Sequence, residues 1–355
     1  MHEMSEITKN FAIKVETAPY GGGHINDTYI AGDNPKYILQ KINGNVFKDP
    51  EAVMKNMVGV TEHLKEKIIA AGGNPDRETI NLIETKDGRK YYKADNGDIF
   101  RMYVFVDNVK CFDFPDTPEI FMQAACAFGK FQNMLADYPV ENLVETIPDF
   151  HNTPKRFRDF KNSVEKNLSG RADIAKKEID FAISREKITG VVVDAMADGS
   201  VPLRVTHNDT KLNNVLFDDK TGEGICVIDL DTVMPGSLLY DFGDAIRFGA
   251  STGAEDEKDL DKIEMSLELF EAFTKGFLSQ VGDKLTAAER RLLPEAAMLM
   301  TYECGIRFLA DYIDGDTYFK TAYPEHNLVR ARTQLKLVYD MEKKLDKMRE
   351  IVARY

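Results

Sequence analysis

A chain of 355 residues has room for two domains or lobes of ordinary size and for a large core. Its 46 Lys and Arg against 59 Asp and Glu leave a net charge of −13, which speaks against a general nucleic-acid binder because nothing would neutralise phosphates along a groove. With 43% hydrophobic and 30% charged residues the composition is that of a soluble globular protein, and no apolar run approaches the roughly 18 residues that a membrane span needs.

The start, MHEMSEITKN, lacks a basic segment followed by an apolar core, so no secretory signal is read there and a cytoplasmic location is expected. In chain order the first hundred residues read mostly as β. Runs at 12–20 and 27–31 flank Gly21-Gly22-Gly23, and 37–42 follows the turn at Asp33-Asn34-Pro35. Val53, Met57, Val60, Leu64 and Ile68 recur at spacings of three and four, which predicts a helix over 50–71 that Gly72-Gly73 ends. Strands are expected again at 79–84, 90–94 and 99–107.

Beyond Asp107 the pattern turns helical, with expected helices at 118–137, 154–168, 173–187, 257–281, 286–313 and 325–352 and a β island at 203–206, 214–217 and 224–230. Two domains follow: residues 1–107 as a β-rich lobe and 108–355 as a larger, mainly helical one. Cys111, Cys126, Cys226 and Cys304 are widely spaced among apolar neighbours and read as small core residues, and neither they nor the six histidines show metal-ligand spacing.

The most specific local pattern is His207-Asn208-Asp209-Thr210-Lys211-Leu212-Asn213-Asn214, between two short apolar strands. It fits H-x-D-x-x-x-x-N, a phosphotransferase loop in which the Asp accepts the substrate hydroxyl proton and the Asn holds a metal. Lys211 would place a positive charge near the transferring phosphoryl. The plainer alternative is a polar loop in which Asp and Asn form turns. Fifteen residues on, Ile228-Asp229-Leu230-Asp231 ends an apolar strand. If the extended backbone persists, both carboxylates share one face and suit Mg²⁺, while Asp231 could instead cap the following turn. Gly21-Gly22-Gly23-His24-Ile25-Asn26 sits where glycines let backbone approach phosphates, although hairpin tips are commonly Gly-rich. Asp241-Phe242-Gly243 stands beyond the better metal candidate and is expected to brace the catalytic loop as a buried acceptor.

Together, Gly-His-Ile-Asn at 23–26, the 207–214 loop, Ile228-Asp229-Leu230-Asp231 with Met234-Pro235-Gly236, and Asp241-Phe242-Gly243-Asp244 resemble the aminoglycoside phosphotransferase superfamily. With Arg247-Phe248-Gly249-Ala250-Ser251 and the stretch 323–330, the chain is similar over nearly its whole length to the N-acetylhexosamine 1-kinases. The resemblance implies an α+β, two-lobed, protein-kinase-like fold with an N-terminal antiparallel sheet and one helix, moving the γ-phosphoryl of ATP to the anomeric hydroxyl of GlcNAc or GalNAc. It implies Asp209 as base, Asn214 and Asp229 as Mg²⁺ ligands with Asp231 as auxiliary, and Gly21, Gly22, Gly23, His24 and Asn26 covering phosphates and the sugar end.

Where the third strand of the superfamily usually carries a phosphate-pairing Lys or Arg, this sequence places Gln40; either Lys41 serves through a register shift or the charge is dispensable. Asn208, Phe248, Arg307 and Tyr318 match sugar-side positions, with an Arg307–Glu303 helix pair and ordinary core packing of Phe248 and Tyr318 as the alternatives. Expected partners are ATP and a small sugar, with no nucleic acid or membrane. Other readings are a superfamily kinase of an aminoglycoside, choline or homoserine, and a pseudokinase that binds without turnover.

Overall fold

A computed structural model describes residues 4–11, 13, 15–21 and 25–355. By internal contacts the chain divides into two compact units, Met1–Cys111 with Met134–Pro148 and Asn214–Pro235, and Phe112–Asn133 with Asp149–Asn213 and Gly236–Tyr355. The sequence boundary at 107 falls close to the first break. The segments 134–148 and 214–235, which follow it in sequence, group with the N-terminal residues because their hydrogen-bond partners lie there.

In chain order the elements are α1 (Met4–Thr8), β1 (Thr17–Pro19), β2 (Asp27–Ala31), β3 (Tyr37–Lys41), α2 (Pro50–Ala70), α3 (Pro75–Glu78), β4 (Tyr92–Lys93), β5 (Ile99–Val104), β6 (Val109–Lys110), α4 (Pro118–Met134), α5 (Thr153–Lys166), α6 (Lys176–Ile183), α7 (Val191–Ala197), β7 (Arg204–Thr206), β8 (Val215–Asp218), β9 (Gly224–Val227), β10 (Met234–Gly236), α8 (Leu238–Gly249), α9 (Leu267–Val281), α10 (Ala287–Asp314) and α11 (His326–Arg354).

In the first unit β1-β2-β3-β5-β4 form an antiparallel sheet. Side chains alternate across it, so Leu39, Phe100 and Met102 enter a core with Ile7 and Phe11 while Arg101 takes the other face, toward Met57 of α2. The α2 helix forms as its spacing predicts. Asp49 caps it by accepting from Ala52 N at 3.0 Å, Pro50 occupies the first turn, and Val53, Met57, Val60, Leu64 and Ile68 are buried. A second, three-stranded sheet runs β6-β8-β9. Its register continues past the strand ends, where Ile228 N donates to Asn214 O at 2.9 Å.

The second unit is mainly helical. Helix α10 starts at a capping box of Thr286 and Glu289 and stops at Gly315, whose φ of 97° lies in the left-handed region. Among the described residues no helix is long and apolar enough to cross a membrane.

Several expected elements differ. The run 79–84 forms only an isolated bridge, Leu82 to Tyr103, because Asn74 and Pro75 start the short helix α3 just before it. The helix expected over 257–281 begins only at Leu267, capped by Ser266, since the preceding charged stretch has no apolar stripe to bury. Helix α6 is shorter than expected, and α7, masked in sequence by its β-branched Val191-Val192-Val193, is an addition. In the run 12–20 only β1 is a strand, with Ala12 and Lys14 outside the described residues. Of the four free cysteines Cys226 is buried, but Cys111 is exposed rather than in the core.

Candidate active site

The 207–214 loop takes its shape from buried partners in the second unit. His207 is fully buried, its ring edge-on to Phe128 and Phe131 with centroids 5.8 and 5.9 Å away. The Asp209 N–H donates to its Nδ1 at 3.2 Å. Asp241, on α8, accepts the N–H groups of His207 (2.9 Å) and Asn208 (2.8 Å) and the Gln132 amide (2.6 Å), while its carbonyl takes the Thr210 hydroxyl. Asp241 is therefore the bracing acceptor that the sequence suggests. Burial pushes its carboxyl up, against the pull of His207 and the two backbone donors.

One turn later on α8, Asp244 accepts Thr210 N at 3.1 Å and the Arg247 Nε at 2.9 Å, and Arg247 also reaches Glu255 at 3.0 Å. Burial alone would raise the Asp244 carboxyl, yet Arg247 and Lys211 outweigh it and hold it below the usual carboxylate range. Asn208 adopts φ 67°, a left-handed conformation that Asn tolerates, and its side-chain amide donates to Thr206 O. Out of this frame come Asp209 and Lys211, with Nζ 2.7 Å from Oδ1. Burial works against the Lys211 ammonium, but Asp209 and Asp244 raise its pKa, so it stays charged.

Of the sugar-side candidates, Arg307 lies on α10 with its guanidinium 6.0 Å from the Tyr318 ring centre and 5.5 Å from that of Phe319. Among the described residues it makes no hydrogen bond or ion pair. The expected alternative, a pair with Glu303, is not formed: Glu303 binds His151 Nδ1 at 2.8 Å and the Thr153 hydroxyl at 2.5 Å. Tyr318 is 72% exposed and so is not a core residue. Asp311 fixes its loop by accepting the N–H groups of Thr317, Tyr318 and Phe319. Phe248 is half-buried and stacks on Phe114 at 5.4 Å. The Cys304 thiol is pushed up to about 11, mainly by burial.

The first unit holds the metal and hairpin candidates. Asn214 and Asp229 are brought together at the joined ends of β8 and β9, where Ile228 N meets Asn214 O. An amide and a carboxylate oxygen suit Mg²⁺, which takes one or two protein carboxylates together with phosphate oxygens. Among the described residues no three His, Cys, Asp or Glu side chains gather as a metal nest.

The expectation that Asp229 and Asp231 share one strand face fails. The strand stops at Val227, Asp229 turns left-handed at φ 60° and ψ 57°, and Leu230–Thr232 is a 3₁₀ turn. Asp231 is 4% exposed, with one oxygen paired to Arg101 and the other accepting the Asn26 amide. It does not cap the following turn.

Gln40 stands opposite Arg101 in the β3–β5 register. Its Oε1 accepts from Arg101 Nε at 3.0 Å and Nη2 at 2.7 Å, and its own amide donates to Thr28 at 3.1 Å. Lys41 makes no register shift and pairs with Asp98 at 2.7 Å. Asn26 also accepts from Asn43 N at 3.0 Å, and Gly21 has φ 72°; Gly22, Gly23 and His24 lie outside the described residues. Sequence reading missed Arg101, Gln132 and the His151–Glu303 pair. For Arg101 a signal existed, a lone Arg amid the apolar alternation of β5.

The sequence profile of the APH phosphotransferase enzyme family matches residues 16–264. Among solved structures, a microcompartment-associated aminopropanol kinase is 15% identical with a TM-score of 0.57, and 97% of each chain is covered. A spectinomycin phosphotransferase in complex with ADP and spectinomycin is 14% identical, with 96% of this chain and 98% of that one covered and a TM-score of 0.58. Choline kinase from Cryptosporidium parvum Iowa II is 14% identical, with 96% and 93% covered and a TM-score of 0.59. At these identities the likeness is one of fold, a kinase-like α+β architecture.

Proposed function

The chain belongs to the APH phosphotransferase enzyme family, and from that premise we propose that it transfers the γ-phosphoryl of ATP to the anomeric hydroxyl of an N-acetylhexosamine, giving the sugar 1-phosphate. Asp209 accepts the proton of the attacking hydroxyl, and Asp241 and Asp244 hold its loop in place while it does so. Lys211, kept charged by Asp209 and Asp244, stands by for the phosphoryl oxygens. Asn214 and Asp229 would hold Mg²⁺, which would offset the negative charge that develops on the phosphate oxygens. Asp231 serves as an anchor in this reading and not as a metal ligand.

What favours a neutral sugar over a cationic acceptor is Arg307. Its donors are uncommitted among the described residues, and a second guanidinium, Arg156, is close enough that burial and then Arg307 lower its pKa. Two guanidinium groups within each other's field disfavour an aminoglycoside or choline. They suit a hydroxyl-rich ring with an amide carbonyl, for which Tyr318 and Phe248 would offer apolar walls. Aminopropanol, spectinomycin and choline, named for the kinases of similar fold, are the competing acceptor types. ADP release with GlcNAc, GalNAc, choline, homoserine and kanamycin, each with ATP and Mg²⁺, tests the assignment. Turnover restricted to the two acetylated sugars supports it, and turnover restricted to the cationic compounds refutes it.

A further inference from the structure

Arg101 is the most thoroughly committed charged side chain of the first unit. It is 2% exposed, and each guanidinium nitrogen has a partner: Nε and Nη2 on Gln40 Oε1, Nη1 on Asp231 and, at 3.2 Å, on Met57 Sδ. The chain of bonds runs on from both ends. Gln40 donates to Thr28 of β2, and Asp231 accepts from Asn26, which in turn takes Asn43 N. One buried cation thus ties β2, β3, β5 and the hairpin residue Asn26 to the turn that carries Asp229.

The arrangement differs from that of protein kinases, where a strand lysine pairs with a glutamate of the neighbouring helix. Here α2 offers Met57, and the carboxylate comes from the 229–231 segment. Arg101 also lies within the field of Asp229. Asp229 is left-handed, a conformation that Asp adopts more readily than most L-residues and that here ends the strand. The residue two further on is clamped by a buried ion pair that cannot open without stranding a charge.

We propose that Arg101 is a positioning residue for the metal side of the reaction: through Asp231 it fixes the left-handed turn at Asp229, and Gln40 orients it there instead of touching the nucleotide. The pair carries no net charge, so its net pull on a cation is small. Its effect is on where the Asp229 carboxylate stands. The inference rests on the reading of Asp229 as a Mg²⁺ ligand.

The test is calorimetric titration of ADP into the full-length protein with and without Mg²⁺, for the natural chain and for the double variant Arg101→Met/Asp231→Leu. Removing both charges together spares the fold the stranded charge that either single removal leaves. The natural chain is expected to bind ADP more tightly with Mg²⁺. The double variant is expected to bind ADP alone as before and to lose roughly ten- to hundredfold of the Mg²⁺-dependent gain, the size of effect seen when partners of metal ligands are removed.

A folded double variant with the full Mg²⁺ gain overturns the proposal and leaves the Asp229 assignment standing. A natural chain with no Mg²⁺ gain overturns both. Thermal unfolding accompanies each titration, and Arg101→Lys replaces the double variant if that does not fold. A lysine can meet Asp231 but not also grip Gln40 with two donors, so the same loss of Mg²⁺ gain is expected, and an unchanged gain counts against the proposal.

Discussion

The Asp241 carboxylate accepts the backbone N–H of Asn208 at 2.8 Å, one residue before Asp209, so the residue proposed as the base is placed by a buried side chain of α8. The loop is rigid at its root and half-exposed at its working residue. Asp209→Asn leaves the backbone bonds that Asp241 and Asp244 make with the loop and removes the proposed proton acceptor together with the charge that pairs with Lys211. Turnover is expected to fall roughly 10²- to 10⁴-fold with the melting temperature nearly unchanged, as measured by coupled ADP release and by thermal unfolding. An undiminished kcat would take Asp209 out of the mechanism.

Asp229 and Asp231 are expected to separate by readout. Asp231→Ala leaves the Arg101 cation buried without its carboxylate and should cost about 3–5 kcal/mol of stability. Asp229→Ala should cost only the roughly 1–2 kcal/mol of an alanine in the left-handed region and reduce kcat more than that change explains. Denaturant unfolding beside steady-state kinetics decides. If Asp229→Ala unfolds the protein and Asp231→Ala leaves it stable and inactive, the two roles are reversed.

Arg307→Ala is expected to weaken the sugar step selectively. Losing a charged hydrogen-bond donor is worth roughly a ten- to hundredfold drop in kcat/KM for GlcNAc, with ATP affinity unmoved. Since Arg307 has no hydrogen bond or ion pair among the described residues, its removal should hardly shift the melting temperature. A large loss of stability with unchanged sugar kinetics would place Arg307 in the fold and not in the pocket.

Glu303 predicts the acid limb of stability. Burial works to raise its carboxyl, and the His151 ring, Arg307 and the Thr153 hydroxyl overcome that and hold it below the usual value of 4.5. A carboxyl depressed in the folded state contributes stability above its unfolded pKa and loses it as pH falls through the folded one. The melting temperature should therefore decline below about pH 4.5. Glu303→Gln should flatten that decline, and an identical acid profile in the variant would remove Glu303 from it.

Much of this was legible in the sequence where a residue's role is local. The spacing of Val53, Met57, Val60, Leu64 and Ile68 specifies α2, and His207 to Asn214 could be singled out because its residue types recur at a fixed spacing within one short loop. Asp241 could be read as a brace because it could be set aside as a metal ligand. What stayed hidden depends on pairs remote in sequence. Gln40, Arg101 and Asp231 come from two strands and a turn, and only the β3–β5 register shows that the cation absent at position 40 stands opposite it. Asp229 and Asp231 alternate as a strand would, and no periodicity betrays that the strand ends before them.

The central claim is the acceptor and its reacting hydroxyl. Phosphorus NMR of the product formed from GlcNAc, ATP and Mg²⁺ tests it most directly, because a phosphate on the anomeric oxygen couples to the single anomeric proton and one on the 6-oxygen couples to a methylene pair. The account predicts a doublet and loss of the reducing end. A methylene-coupled signal, or no sugar phosphate from a protein that phosphorylates choline or kanamycin under the same conditions, would contradict it.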